Sequence, residues 1–168
     1  MFNKIVLVGM PGSGKTTVGK QLASELNLPF IDMDEEIVSR EGKSVADIFA
    51  EYGEEHFRSL EHQVLAELLS LVDGMVVATG GGAPCFHNNM DLINEKGISV
   101  FINETVEEIV ARMDRYELEK RPKLASSDVV STLKELHLKR KDYYNKAHLE
   151  WNAKESISEL IKRINTKG

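Results

Sequence analysis

The chain has 168 residues, 42% of them hydrophobic and 29% charged, the profile of an ordinary globular protein with one domain and one buried core. A formal net charge of −6 works against nucleic acid and anionic lipid as general partners, and no apolar run approaches the ~18 residues needed to cross a membrane. The start, Met1-Phe2-Asn3-Lys4, carries no secretory pattern, and Cys85, the one cysteine, cannot form an internal disulfide, so the expected location is the cytosol.

Ile5-Val6-Leu7-Val8 reads as a strand that ends at Gly9, and Lys15 to Leu26 follows with Val18, Leu22 and Leu26 on one helical face. Pro29 to Asp32 is a second short strand. The span from about Glu35 to Leu71 holds helical patches broken at Gly42 and Gly53. Met75 to Thr79 is a third strand that stops at three glycines, and Ile98 to Ile102 a fourth. Thr105 is placed to cap a helix from Val106 to Met113, with Glu107 and Glu108 in its first turn. Asp114 to Lys123 is highly charged and aperiodic. Ser127 is placed to cap a long helix to Tyr144, Ala147 to Trp151 reads as a fifth strand, and Ser156 to Ile164 as a final helix. Short apolar strands alternating with helices specify an α/β fold whose parallel sheet is covered on both faces. Ligands in such sheets bind beyond the carboxyl ends of the strands, where Gly9, Asp32 and Gly80 fall.

Gly9-Met10-Pro11-Gly12-Ser13-Gly14-Lys15-Thr16 matches G-x-x-x-x-G-K-[ST], with Thr17 next. Phosphate oxygens need several donors aimed at one small volume; a loop curled by Gly12, Ser13 and Gly14 supplies backbone N–H groups, and the helix start adds positive potential. Lys15 then reaches the β- and γ-phosphates of ATP, and the Thr16 hydroxyl ligates Mg²⁺. A random chain of this length carries the pattern with a probability of roughly 1%, so a chance glycine turn is a poor explanation. A dinucleotide fold would need glycine where Thr17 stands. The second Mg²⁺ carboxylate should come from a strand end, and only Asp32 qualifies, acting through water because Mg²⁺ dehydrates reluctantly.

Several positions have two readings on pattern alone. Asp34, two residues past Asp32, projects to the same side if the backbone stays extended and could orient an attacking hydroxyl; equally, it could cap the helix near Glu35. Gly80, Gly81 and Gly82 either let a ligand approach the backbone or form a plain turn. Arg58 fits a surface arginine paired with Glu54, Glu55 or Glu61, and Arg140 a solvated helix end, as readily as anion-binding roles. The charged segment around Arg121-Pro122 is either a lid carrying a cation or an inert loop. The histidines lack metal-ligand spacing, and Cys85 reads as a small buried apolar residue.

Taken together, Gly9 to Thr17, Asp32-x-Asp34, Phe57-Arg58-x-x-Glu61, Thr79-Gly80-Gly81-Gly82, Arg121-Pro122 and Arg140-x-x-x-Tyr144 resemble the shikimate kinase family in order and spacing, over about residues 4 to 150. The resemblance implies a three-layer α/β/α P-loop fold of the nucleoside monophosphate kinase type, with a five-stranded parallel sheet and a mobile lid. It implies one domain over 1–168, with a substrate region at about 33–61 and a lid at about 112–125. The implied activity is transfer of the ATP γ-phosphoryl to the 3-hydroxyl of shikimate by a monomer. By the same likeness Asp34 orients that hydroxyl, Arg58 and Arg140 bind the carboxylate, Gly81 meets substrate through its backbone, and Arg121 reaches the ATP phosphates. Three departures stand out: Lys123 where the family lid has leucine, Ala83-Pro84-Cys85-Phe86 after the glycines, and Pro11, which resembles adenylate kinase. A gluconate or nucleotide kinase of similar build is the alternative, although no base-reading pocket is evident; a regulatory module that binds nucleotide without catalysis is opposed by intact Lys15, Thr16, Asp32 and Asp34.

Overall fold

The computed structural model describes residues 3–113 and 128–168. Five strands, β1 (Lys4–Val8), β2 (Phe30–Asp32), β3 (Met75–Ala78), β4 (Ile98–Ile102) and β5 (Leu149–Trp151), form one all-parallel sheet in the order β2-β3-β1-β4-β5. Among the described residues the helices are α1 (Lys15–Leu26), α2 (Met33–Glu41), α3 (Val45–Tyr52), α4 (Glu54–Ser70), α5 (Asn89–Lys96), α6 (Val106–Arg112), α7 (Asp128–Tyr144) and α8 (Ile157–Lys167), with a 3₁₀ turn at Ala83–Cys85.

The central strand shows why three layers form. Successive side chains of β1 point to opposite faces, and all five are buried, so the strand needs apolar cover on both sides. Ile5 and Leu7 pack with Val18 and Leu22 of α1 and Leu160 and Ile164 of α8. Val6 and Val8 face the other layer, with Met33 and Ile37 of α2, Leu65 of α4, Ile93 of α5 and Leu133 of α7. Fully burying one such aliphatic side chain contributes roughly 1.5–3 kcal/mol. Because β1 lies mid-sheet, the loop after Val8 opens onto the crevice at the strands' carboxyl ends.

Gly42 and Gly53 break the helical span as expected, with φ of 65° and 84°. Thr105 forms a full capping box with Glu108, and the Ser156 side chain caps α8 by accepting from Glu159 N–H. One expectation fails. The backbone does not stay extended through Asp34, because α2 starts at Met33. The cap is Asp32, whose Oδ1 accepts from the N–H groups of Asp34 at 3.0 Å and Glu35 at 3.2 Å. That carboxylate satisfies two helix-start donors, which removes the capping role from Asp34 and starts the helix two residues before Glu35. Helix α5 had no sequence signal strong enough to mark it. It has eight residues, its N-cap Asn88 makes no side-chain cap bond, and His87 and Asn88 enter it with φ of 50° and 55°. Ser127, Arg121 and most of the charged segment read as a lid lie outside the described residues.

A polar bracket joins β4 to β5. His148 N–H donates to Ser99 Oγ at 2.8 Å, Ser99 Oγ donates to Asn94 Oδ1 at 2.6 Å, and Ser99 N–H donates to His148 Nδ1 at 3.3 Å. Burial first, then Lys167, lowers the His148 pKa from its ordinary 6.5. The unfolded chain therefore binds this proton first as pH falls, and stability declines below about pH 6.5, through the folded-state pKa. Thermal melts from pH 7.5 to 5 should show a smaller acid loss for His148→Gln than for the wild type; identical acid losses would contradict the bracket's role.

Candidate active site

The P-loop leaves β1 and runs into α1 through Gly14, the N-cap, at φ 97°, a backbone conformation that suits glycine. Together with Asp32, Asp34 and Thr79 to Gly81, the loop lines a cleft of ≈ 380 Å³ that also takes in Lys15, Thr16 and Thr17. Lys15 Nζ donates to Gly9 O and Met10 O, both at 2.8 Å, which holds the ammonium within the loop. Burial pulls its pKa down from 10.5 to about 8, opposed by Asp34 and Asp32 and assisted by Arg140. Ser13 is buried, and its Oγ has no hydrogen-bond partner among the described residues.

Thr16 Oγ1 donates to Asp32 Oδ2 at 2.8 Å, so a hydroxyl and a carboxylate meet at the start of α1. Both are hard oxygen donors. Among the described residues no group of three or more His, Cys, Asp or Glu is arranged to hold a metal. One carboxylate and one hydroxyl suit Mg²⁺, which usually keeps several waters and takes the rest of its ligands from phosphates. The donor set therefore fits that ion.

Asp34 comes into the same cleft from the first turn of α2. Its pKa is raised, chiefly by burial and then by Asp32, with Lys15 and Arg58 pulling the other way. A carboxylate held above its usual range is a better proton acceptor near neutrality. Arg58, on α4, is 8% exposed, and its Nη1 donates to Glu61 Oε1 at 2.9 Å. Burial raises the Glu61 pKa, against the pull of Arg58. The expected pairing with acidic neighbours on the helix is thus present, yet on a buried arginine rather than a surface one.

The three glycines after β3 account for the assembly. A Cβ at Gly80 would lie 3.0 Å from Asp34 Oδ1 and from Glu61 Oε2. At Gly81 it would lie 2.7 Å from Pro11 Cδ and 3.1 Å from Arg140 Nη1, and at Gly82 2.6 Å from both Arg58 Nη1 and Nη2. Side chains here would displace the carboxylate, the P-loop proline and both arginines, so the triplet is a point of close approach rather than a plain turn. Tyr144 O–H donates to Gly81 O at 2.6 Å, tying the end of α7, one turn beyond Arg140, to that turn. Cys85 is half-buried, not fully buried; burial raises its thiol pKa while Arg140 and Arg58 lower it.

Of the positions singled out in the sequence, Lys15, Thr16, Thr17, Asp32, Asp34, Gly80, Gly81, Gly82, Arg58 and Arg140 come together around this cleft. A second cavity of ≈ 300 Å³ went unread. It lies beyond the ends of β4 and β5, between Asn103–Thr105 and Asn152–Lys154. Glu104 Oε1 accepts from Ala153 N–H at 2.6 Å, and Oε2 lies 3.4 Å from Arg112 Nη2, whose Nη1 would sit 3.7 Å from a Cβ on Gly14. Its only signal was position: both segments follow strand carboxyl ends.

Comparison with known proteins agrees with this geometry. Residues 11–167 match the shikimate kinase family model. A shikimate kinase of Parabacteroides distasonis is 40% identical over 161 residues, covering 94% of this chain and 92% of the relative. The solved structure of shikimate kinase from Acinetobacter baumannii in complex with shikimate superposes with a TM-score of 0.86 at 34% identity, covering 98% of this chain and 93% of the other. That of shikimate kinase from Bacteroides thetaiotaomicron gives 0.85 at 35% identity, covering 98% and 97%.

Proposed function

The chain belongs to the shikimate kinase family and is an ATP-dependent kinase, and from that membership we propose that it transfers the γ-phosphoryl of ATP to the 3-hydroxyl of shikimate. The products are shikimate 3-phosphate and ADP, on the route to chorismate and the aromatic amino acids. The observation that carries the reading is the glycine turn, which backs onto Asp34, Arg140 and Arg58 one after another and so gathers an acid and two carboxylate-binding cations beside a P-loop.

In this reading the backbone N–H groups of Gly12 to Thr17 cradle the triphosphate, and Lys15 holds charge on the β- and γ-phosphates. Thr16 and Asp32 hold Mg²⁺, which when bound neutralises charge on the same oxygens. Arg58 and Arg140 grip the shikimate carboxylate, each charge-assisted hydrogen bond contributing about 1.5–3 kcal/mol. Asp34 accepts a hydrogen bond from the 3-hydroxyl, aims its oxygen at the γ-phosphorus and takes up its proton. The cavity between Asn103–Thr105 and Asn152–Lys154 receives the adenine ring, since its Glu104 pairs with Arg112, which stands beside Gly14, the N-cap of α1. Arg121 supplies a further cation from a lid at about 112–125, residues 33–61 form the substrate region, and 1–168 act as one domain. A monomer in the cytosol, without nucleic-acid or membrane partners, completes the proposal.

The test is a side-by-side phosphorylation of shikimate, gluconate and AMP with product identified by mass. Shikimate 3-phosphate should dominate; preferential phosphorylation of gluconate or AMP would replace the assignment. Gly82→Ala is a sharper probe, because its Cβ must push the Arg58 guanidinium aside. KM for shikimate should rise about tenfold or more, the loss of one charge-assisted bond, while KM for ATP stays within about twofold. An unchanged shikimate KM would remove Arg58 from the substrate site.

A further inference from the structure

Ala83 to Asn89 follows the glycine turn, its first four residues depart from the family pattern, and it covers the one arginine that α4 contributes to the site. Arg58 Cζ lies 4.2 Å from the centroid of the Phe86 ring, nearer than to Phe57 at 5.4 Å or Phe49 at 5.8 Å. One edge of the guanidinium is fixed by the buried Glu61. The other reaches Glu54 Oε1 only at 3.4 Å from both Nε and Nη2, and the Glu54 side chain is 58% exposed. Two carboxylates, one of them distant and solvated, leave the plane of the fork weakly determined on that side. The guanidinium carbon lies over the Phe86 ring, which adds a contact beside those two carboxylates.

The ring is itself held. Asn89 N–H donates to Phe86 O at 2.9 Å, and Asn89 Nδ2 donates to Ala83 O at 2.8 Å. The Asn89 side chain is fully buried, and its Oδ1 lies 2.6 Å from Nδ1 of His62. His62 stands one turn after Arg58 on the same helix. Helix α4 thus carries both the guanidinium and the anchor for the segment that covers it, so ring and fork share one frame.

We propose that Phe86 is a positioning residue that acts through Arg58: its ring sets the plane of the guanidinium that meets the substrate carboxylate, and the Asn89–His62 pair keeps the ring in place. The proposal rests on the assignment of Arg58 to that carboxylate. It gives the Ala83-Pro84-Cys85-Phe86 departure a physical role, that of a rigid turn delivering an aromatic face to the fork.

The test compares Phe86→Leu, which keeps apolar bulk but has no π-face, with Phe86→Tyr, each checked for folding by thermal melt. Phe86→Leu should raise KM for shikimate roughly tenfold, with kcat and KM for ATP within about twofold, and Phe86→Tyr should restore the wild-type value. In an Arg58→Ala background, Phe86→Leu should cause no further loss of kcat/KM. A wild-type shikimate KM in Phe86→Leu, or the same factor in both backgrounds, would overturn the proposal. The contact also has a readout independent of turnover. The Arg58 Nε–H resonance of ¹⁵N-labelled protein should shift when the ring is removed and return with tyrosine, and an unmoved resonance overturns the inference. Absence of shikimate turnover in the wild type would instead strike the functional assignment, which separates the two failures.

Discussion

Lys15→Met should lower kcat by about 10²–10³-fold while the protein still folds, because it removes the one P-loop side-chain cation at the point where charge develops on the phosphoryl group. Methionine matches the length of the stem, so the buried methylenes lose little packing. The same residue predicts a pH effect. Its ammonium form is disfavoured by burial, with a pKa of about 8 against the ordinary 10.5, a difference worth about 3 kcal/mol. Polyphosphate beside it restores the charged form, so its pKa is higher in the complex than in the free protein. Between those two values, binding takes up a proton, and ATP affinity should fall as pH rises above about 8. Calorimetry of ATP binding at pH 8.5 in buffers of different ionisation enthalpy reads the uptake directly. Proton-neutral binding there, or a Lys15→Met variant with unaltered kcat, would contradict the role.

Asp34→Asn should leave KM for both substrates within a few-fold and lower kcat by about 10²–10⁴-fold, the range for loss of a positioned acid–base group. The isostere keeps a hydrogen bond available to a hydroxyl but accepts no proton. In the proposed role Asp34 acts when ionised, and burial together with Asp32 raises its pKa. In the wild type, kcat should therefore rise with pH along an acid limb lying above the usual carboxylate range, and that limb should vanish in the variant. A full pH–rate profile of both proteins checks this. Retention of the limb in Asp34→Asn would assign it to another group, with Glu61 the first to examine, since its pKa is raised as well.

Much of the fold was legible because its signals are local. The strand–glycine–helix start, the Gly42 and Gly53 breaks and the Thr105 cap are each written within a few residues. The P-loop residues were legible for the same reason, since backbone donors and Lys15 belong to one contiguous motif. Asp34 was ambiguous because its role turns on where α2 begins, and that is decided by which of two neighbouring carboxylates binds the free N–H groups. Arg58 and Arg140 were ambiguous for a different reason. A surface arginine and one drawn into a cleft can have the same helical spacing, and only the approach of Gly81 and Gly82 from a distant strand end places Arg140 and Arg58 there. The Phe86 contact and the Asn103–Lys154 cavity join residues far apart in the chain and had no local signature.

ADP release by the full chain, followed with ATP and shikimate in the presence and absence of Mg²⁺, tests the central claim most directly. The account predicts saturable release that requires both shikimate and the metal ion. A folded chain that binds ATP yet releases no ADP with shikimate and Mg²⁺ would contradict it.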